Sequence, residues 1–384
     1  MADILDYVDW RGDLSLKASP FNEVDNLLMA ELSFIDFSGI VPPPELGDGI
    51  TLREASAAYF RRHEGREIDM GVLVPDKIPD LMCRMANSVR FGDMRLNGYE
   101  ALTDETLEQQ FAALTAELGD GSVYVAFRGT DDTLVGWKED LNLGFMEKIP
   151  SQERALAYLN RMARQYERQK LRIGGHSKGG NLAVYSAVHI PAATQRRIVA
   201  VYNNDGPGFI RDLTQTPEYA RIEKKLHTIV PQSSVVGQLL QHEDDVQVVH
   251  STASGMFQHD GFSWEVRGTQ FVHLDGFSRE GRLIDETLDD WTAQLAPDQR
   301  EAVASAIYEV LTATGARTLS ELRGEKLGGA ATLLKTYQNL DRETRRALSS
   351  ALHSLVEIGA RNVAQDVQSN ELEKLRRGGK KQKS

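Results

Sequence analysis

Apolar positions along the chain change rhythm twice. Between Glu23 and Phe37, Val24, Leu27, Leu28 and Leu32 recur on one stripe, a spacing that predicts an amphipathic helix. The run Val41-Pro-Pro-Pro-Glu45 ends any helix there, because proline lacks the amide donor and restricts its predecessor. Pro75 and Pro79 bracket a second predicted helix start. Residues 1–80 therefore read as an acidic, partly helical N-terminal region that either covers a site or widens the core. From about residue 86 to 275, short β runs alternate with amphipathic helices. Ser122–Phe127, Leu171–Ile173, Ile198–Tyr202, Leu226–Val230 and Val246–Val249 are the strand candidates, and Ser151 is placed to cap a helix reaching Gln169. This alternation predicts an α/β fold with a mostly parallel central sheet.

After about residue 283 the strand pattern stops. Thr318-Leu-Ser-Glu321 is a capping box. Val303, Ile307, Val310 and Leu311, then Leu348, Leu352, Leu355 and Val356, repeat at helical spacing as packing faces. The organisation expected is an N-terminal region 1–80, a core 81–282, a helical region 283–373 and a basic, frayed tail 374–384. That tail carries Lys374, Arg376, Arg377, Lys380, Lys381 and Lys383.

Composition narrows the chemistry. A chain of 384 residues that is 41% hydrophobic is long and apolar enough for a substantial core, which argues against disorder. Its 44 basic and 56 acidic residues leave a formal charge of -12, unfavourable for nucleic acid or anionic lipid. Cys83 is the only cysteine, so there is no internal disulfide or Cys-rich metal cluster. No His-x-x-x-His pair occurs, and neither a metal nor another cofactor is expected. No segment approaches the run of about 20 apolar residues that spans a bilayer. The first ten residues carry three aspartates where a signal peptide would be basic. A cytoplasmic protein without an integral membrane segment is the expectation.

Gly175-His176-Ser177-Lys178-Gly179 matches G-x-S-x-G, with a short strand before it and the helical Asn181–Ala187 after it. A serine on a sharp strand-to-helix turn needs glycine on both sides, because side chains there would strike the adjoining strand and helix. The alternative is a Gly-rich turn that binds phosphate at a helix N-terminus, but the order of residues fits neither a P-loop nor a dinucleotide fingerprint. A second signal is Val125-Ala-Phe-Arg-Gly-Thr130, followed by Trp137 and Asp140-Leu-Asn142. An acyl-transfer site needs two donors for a developing oxyanion, one from the residue after the nucleophile, here the Lys178 N–H, and one from a loop after an earlier strand. Gly129-Thr130 sits where that loop belongs; the plainer reading is a β-turn before a helix capped by Asp131 or Asp132.

Together, Phe127-Arg-Gly-Thr130, Trp137 with Asp140-Leu141, and Gly175-His-Ser-Lys-Gly-Gly180 resemble the class 3 lipases and their uncharacterised bacterial relatives over roughly residues 85–275. The resemblance implies an α/β-hydrolase fold and a Ser-His-Asp triad acting on acyl esters. It assigns Ser177 as nucleophile and Thr130 and Lys178 as oxyanion donors. Two features depart from the family. Lys178 stands where a small or apolar residue is usual, and Ile229–Val236 contains no carboxylate where the family acid normally lies.

In an open parallel sheet, reacting groups gather beyond the carboxyl ends of the strands. Asp205, in Asn203-Asn-Asp-Gly-Pro-Gly208, leaves the strand after the elbow helix and keeps the order Ser…Asp…His. Asp244 and Asp245 precede their strand, at the opposite end. Among nine histidines, His259 lies in a loop after Val246–Val249, where a base would belong. His250 is its rival at the end of that strand, and His273 comes third. His63 and His353 lie in the flanking regions, His176 inside the elbow, His189 at a helix end and His227 inside a strand. The Lys178 side chain is expected to project from the helix start into a surface salt bridge, or toward an acidic group of a substrate.

The expected function is a serine esterase or lipase, with Ser177, His259 and Asp205 as the triad and Thr130 and Lys178 forming the oxyanion hole. The alternatives are an acyltransferase or thioesterase using the same nucleophile, and a hydrolase-fold protein without turnover that binds a partner protein through its C-terminal helices. As a lid, residues 143–170 would present Glu147, Lys148 and Ser151 through Arg154, a poor lipid-facing surface, which favours modest-sized esters over bulk fat.

Overall fold

The computed structural model describes residues 1–44, 46–240, 245–324 and 328–381. Eight strands form one sheet in chain order: β1 (Ile50–Thr51), β2 (Arg95–Asp104), β3 (Gln109–Glu117), β4 (Val123–Phe127), β5 (Leu171–His176), β6 (Ile198–Asn204), β7 (Leu226–Pro231) and β8 (Val246–Val249). The pairs from β1 to β4 are antiparallel, and those from β4 to β8 are parallel. The protein has an α/β fold with a central sheet that is parallel from β4 to β8, and helical additions at both ends. All five strand candidates are present. The two long antiparallel strands β2 and β3 carry no strand pattern in the sequence, because each has a single β-branched residue, Thr103 and Thr115.

The helices preceding the parallel strands are α1 (Ile4–Arg11), α2 (Glu23–Leu32), α3 (Leu52–Arg62) and α4 (Ile78–Asn87), and those joining them include α5 (Leu134–Asn142), α6 (Pro150–Gln165) and α7 (Lys178–His189). Right-handed crossovers between strands laid down in sequence leave their helices on one face of the sheet. Strand residues sort accordingly. Val123, Val125, Phe127, Ile173 and Val201 pack with α6 and α7. Tyr124, Ala126, Ala200 and Tyr202 point the other way, into a cluster with α1, α2 and α4. The N-terminal region thus covers the bare face and widens the core. Val24, Leu27, Leu28 and Leu32 are all fully buried, although α2 stops at Leu32 rather than Phe37.

Residues 150–165 are not a lid. They form the crossover helix α6, with Tyr158, Leu159 and Met162 buried in the core. Ser151 lies inside that helix and does not cap it; Gln152 instead accepts from the Ile149 N–H at 3.0 Å. Beyond the sheet, helices Arg279–Gln294, Pro297–Thr312, Leu319–Gly324, Gly328–Asn339 and Arg342–Lys381 build a small core of their own around Val303, Ala306, Leu340, Leu348 and Ala351. The buried stripe of the last helix runs through Leu348, Ala351 and Ile358, so Leu352 and Val356, one step round the helix, are exposed rather than packed. That helix continues to Lys381, through most of the segment expected to be a frayed tail, while Lys383 lies outside the described residues.

A buried ion pair ties the N-terminal segments together. Arg90, with a fully buried side chain, donates from Nε to Asp25 at 2.8 Å, pairs with it again through Nη2, and donates to the Leu14 and Ser19 carbonyls. Removing one member strands the other charge in the interior. Arg90→Met is therefore expected to lower stability by about 3–5 kcal/mol, read as a shift in the urea midpoint; a loss under about 1 kcal/mol would mean that the pair is screened.

Candidate active site

The carboxyl ends of β4, β5 and β6 are in register, with Phe127 opposite Gly175 and His176 opposite Asn204. Residues leaving these strands therefore meet at one edge. Ser177 leaves β5 with φ 59° and ψ -134°, a backbone conformation that costs a residue bearing a Cβ roughly 1–3 kcal/mol. The flanking glycines follow from close approach: a Cβ on Gly175 would strike the Gly179 main chain, and one on Gly179 the Phe127 carbonyl. Ser177 is only partly buried. Lys178 opens α7, and an N–H in the first turn has no partner within its helix.

Gly129 lies against this bend, since a Cβ there would come 2.6 Å from the His176 carbonyl oxygen and 3.1 Å from Ser177 Cβ. Thr130 follows it, and the Thr130 hydroxyl donates to Asp140 Oδ2 at 2.5 Å. The reading of Asp131 or Asp132 as a helix cap is not met, because Thr133 takes that position on α5.

Asp205 leaves β6 fully buried, in left-handed backbone at φ 51°. Its Oδ2 is 2.6 Å from Nδ1 of His259. A carboxylate accepts, so Nδ1 carries the proton and Nε2 keeps its lone pair. Ser234 donates its hydroxyl to Oδ1 of Asp205. The carboxylate-free stretch after β7 thus supplies a hydroxyl to the acid from the neighbouring strand. His259 sits on the single turn Gly255–His259, held by Gln258, whose Oε1 accepts from Ser233 N at 3.0 Å and whose carbonyl accepts from Trp264 Nε1 at 2.9 Å. The ring of His176, adjacent to Ser177 in the chain, lies tilted against that of His259 with centroids 4.5 Å apart. No hydrogen bond joins the Ser177 hydroxyl to His259 among the described residues.

The rival histidines face other carboxylates. His250 Nδ1 lies 2.8 Å from Glu265, and His273 Nε2 lies 2.8 Å from Glu23. His227 stacks on Tyr202. Asp245 precedes β8, at the amino end of a strand parallel to β7; Asp244 lies outside the described residues.

The Lys178 side chain is not at the surface. It is 1% exposed, and its ammonium donates to Glu139 Oε2 at 2.9 Å, to the Gln110 carbonyl at 3.0 Å and to Gln110 Oε1 at 2.8 Å. Glu139, also buried, accepts from Ser151 N and Oγ and from Gln110 N. This is why Ser151 is drawn inward instead of capping α6. A lysine at a bend where its charge opposes the helix dipole requires a compensating carboxylate. That was the signal for Glu139 in the sequence, but nothing in the spacing said which acid it was.

Asp140 is the second acid at this point. Its Oδ1 has no hydrogen-bond partner among the described residues and lies 3.8 Å from the Lys178 ammonium. Burial pushes its carboxyl up to about 6, against the pull of Lys178 and the Thr130 bond. A carboxyl raised in the folded state binds its proton more tightly there than in the unfolded chain, so stability falls as pH climbs from about 4 through about 6. Asp140→Asn, which still accepts from Thr130, escapes that loss. The difference in urea midpoint between variant and wild type is expected to move in the variant's favour across this window, and a pH-independent difference would contradict the assignment.

The model of a family described as Mbeg1-like matches residues 85–309. No curated protein matches the sequence. Among solved structures, a Rhizomucor miehei lipase propeptide complex is similar at 15% identity and TM-score 0.31, covering 41% of this chain and 57% of that one. The chain thus spans little more than half of that lipase's length. An MDLA variant from Penicillium cyclopium is similar at 13% identity and TM-score 0.38, covering 67% of this chain and 87% of that one. A triacylglycerol lipase from Penicillium expansum is similar at 11% identity and TM-score 0.32, covering 66% and 83% respectively.

Proposed function

We propose that this chain, which belongs to the Mbeg1-like family, is a serine hydrolase that cleaves carboxylic esters through an acyl-enzyme on Ser177. The observation that carries this reading is the 2.6 Å contact between Asp205 and His259 Nδ1, beside a strained, partly exposed serine. With its proton on Nδ1, His259 has a free lone pair on Nε2 and acts as general base toward the Ser177 hydroxyl. The alkoxide attacks the ester carbonyl, His259 returns the proton to the leaving alcohol, and water then repeats the sequence on the acyl-enzyme. Asp205 holds the tautomer and offsets the imidazolium. The main-chain N–H groups of Lys178 and Thr130 are the oxyanion donors, worth on the order of 3 kcal/mol each, the Thr130 hydroxyl proton being held by Asp140. Asp140 and the Lys178–Glu139 pair act behind them as positioning groups.

The substrate is an ester with an apolar acyl chain. Met256 and Phe257, 68% and 79% exposed, stand on the same turn as His259, at the rim of the proposed site. Exposed apolar side chains at such a position support recognition of hydrocarbon.

A fluorophosphonate probe is expected to label wild-type protein and not Ser177→Ala. Nitrophenyl ester hydrolysis is expected to vanish with Ser177→Ala or His259→Ala and to fall on the order of 10⁴-fold with Asp205→Asn. A wild-type protein inert to both the probe and every ester would end this reading. For the acyl site, the double substitution Met256→Ser with Phe257→Ser is expected to raise KM for long-chain nitrophenyl esters by about tenfold, leaving short-chain esters and kcat nearly unchanged. Equal losses on acetate and decanoate would remove the turn from the acyl site.

A further inference from the structure

Behind the His259 turn lies a carboxyl that the proposed reaction does not use. Glu31, in the last turn of α2, is 1% exposed, and neither of its oxygens has a hydrogen-bond partner among the described residues. Its Oε1 lies 3.6 Å from Nδ1 of His176, which is itself buried. The other ring nitrogen of His176, Nε2, is 2.8 Å from the main-chain oxygen of His259. A carbonyl only accepts, so Nε2 carries the proton and Nδ1 turns its lone pair toward Glu31. The His176 ring lies against His259 at 31°, with the edges of Phe34 and Trp264 closing its other sides.

Burial favours the uncharged form of both groups. Burial and then the neighbouring Asp260 push the Glu31 carboxyl well above its ordinary range. Burial and then His259 hold the His176 ring well below the usual imidazole range. Asp260, which bears on Glu31 from the turn after His259, is itself raised by burial and faces Lys77, His259 and Asp3. The 3.6 Å gap exceeds a formed hydrogen bond. Among the described residues neither carboxyl oxygen has another partner, so turning the acid toward Nδ1 pairs its O–H with the lone pair of the ring.

We propose that Glu31 and His176 form a neutral acid–imidazole pair, Glu31 donating toward Nδ1 and His176 donating from Nε2 to the His259 carbonyl, that seats the general base from behind. The inference rests on the serine-hydrolase reading and deepens it, giving the N-terminal helix a part in the site. His176 is a positioning residue, and Glu31 acts through it. The pair's neutrality matters because a cation held against His259 would oppose the positive charge that His259 acquires in the reaction.

Histidine-selective ¹⁵N spectra of the full chain, from pH about 5 to about 9, read the protonation site of His176 directly. The rate of fluorophosphonate labelling of Ser177 over the same range, scaled to the folded fraction, reads the consequence. The expected result is a His176 that stays neutral and protonated on Nε2 throughout. Glu31→Leu, which removes the donor toward Nδ1, lowers the labelling rate by about fivefold or more and moves its pH midpoint, and Glu31→Gln, whose amide also donates, restores both; equal rates in the two variants would overturn the part given to Glu31. His176→Phe, which keeps a ring but loses the donor, lowers the rate by about tenfold or more and moves the midpoint. A His176 that titrates in this range, or is protonated on Nδ1, overturns the pair, and so does an unchanged pH profile in His176→Phe. If that variant does not fold, the wild-type spectra still decide. Absence of labelling in wild type overturns the hydrolase reading, and with it the role given to the pair, whatever the tautomer.

Discussion

The bend at residues 175–179 is the constraint on which the rest depends. Its two outer glycines let β5 pass into α7 with main-chain groups closer than any side chain permits, and the serine between them occupies a left-handed backbone that costs roughly 1–3 kcal/mol. Such strain persists only where the surroundings over-determine it. Here the restraints are β4 and β6 in register on either side, the Ser177 N–H donating to Asn204 O, and α7 packed onto the sheet. The same registration brings Thr130 and Asp205 to the edge where Ser177 emerges.

The N-terminal region follows from sheet topology. Five parallel strands in sequential order send their crossover helices to one face, leaving an apolar second face bare. The four N-terminal helices cover it, fixed by the buried Asp25–Arg90 pair. Because that face lies directly behind β5, α2 reaches the underside of the site and brings Glu31 to His176.

Polar groups around the proposed oxyanion donors form a second, largely buried layer. Lys178, Glu139, Gln110 and Ser151 hydrogen-bond to one another, and Asp140 takes the hydroxyl of Thr130. A buried charge pair of this kind contributes little net stability against its desolvation cost, but losing one member leaves an unpaired charge. The C-terminal helices touch the same loop, where Asp132 accepts from Val72 N and Ser320 N. Both terminal additions are thereby tied to the segment that follows Thr130.

The sequence by itself determined what is local. Alternating runs and helices declared the α/β class, and Gly-x-Ser-x-Gly declared the bend, because close main-chain approach leaves glycine as the only solution at fixed spacing. The meeting of Asp205 with His259 was legible one step further, since leaving a strand at its carboxyl end is a topological property that chain order carries. Only the tertiary structure decided the rest. The Glu139 partner of Lys178, the Ser234 hydroxyl on Asp205 and the Glu31–His176 contact join residues 29 to 145 positions apart by number, with no periodic spacing between them. Leu352 and Val356 likewise read as core from their apolar character, yet the phase of the helix against its neighbours leaves them in solvent. Periodicity reports which residues can share a face; which face is covered, and which buried charge meets which, depends on packing that no local pattern encodes.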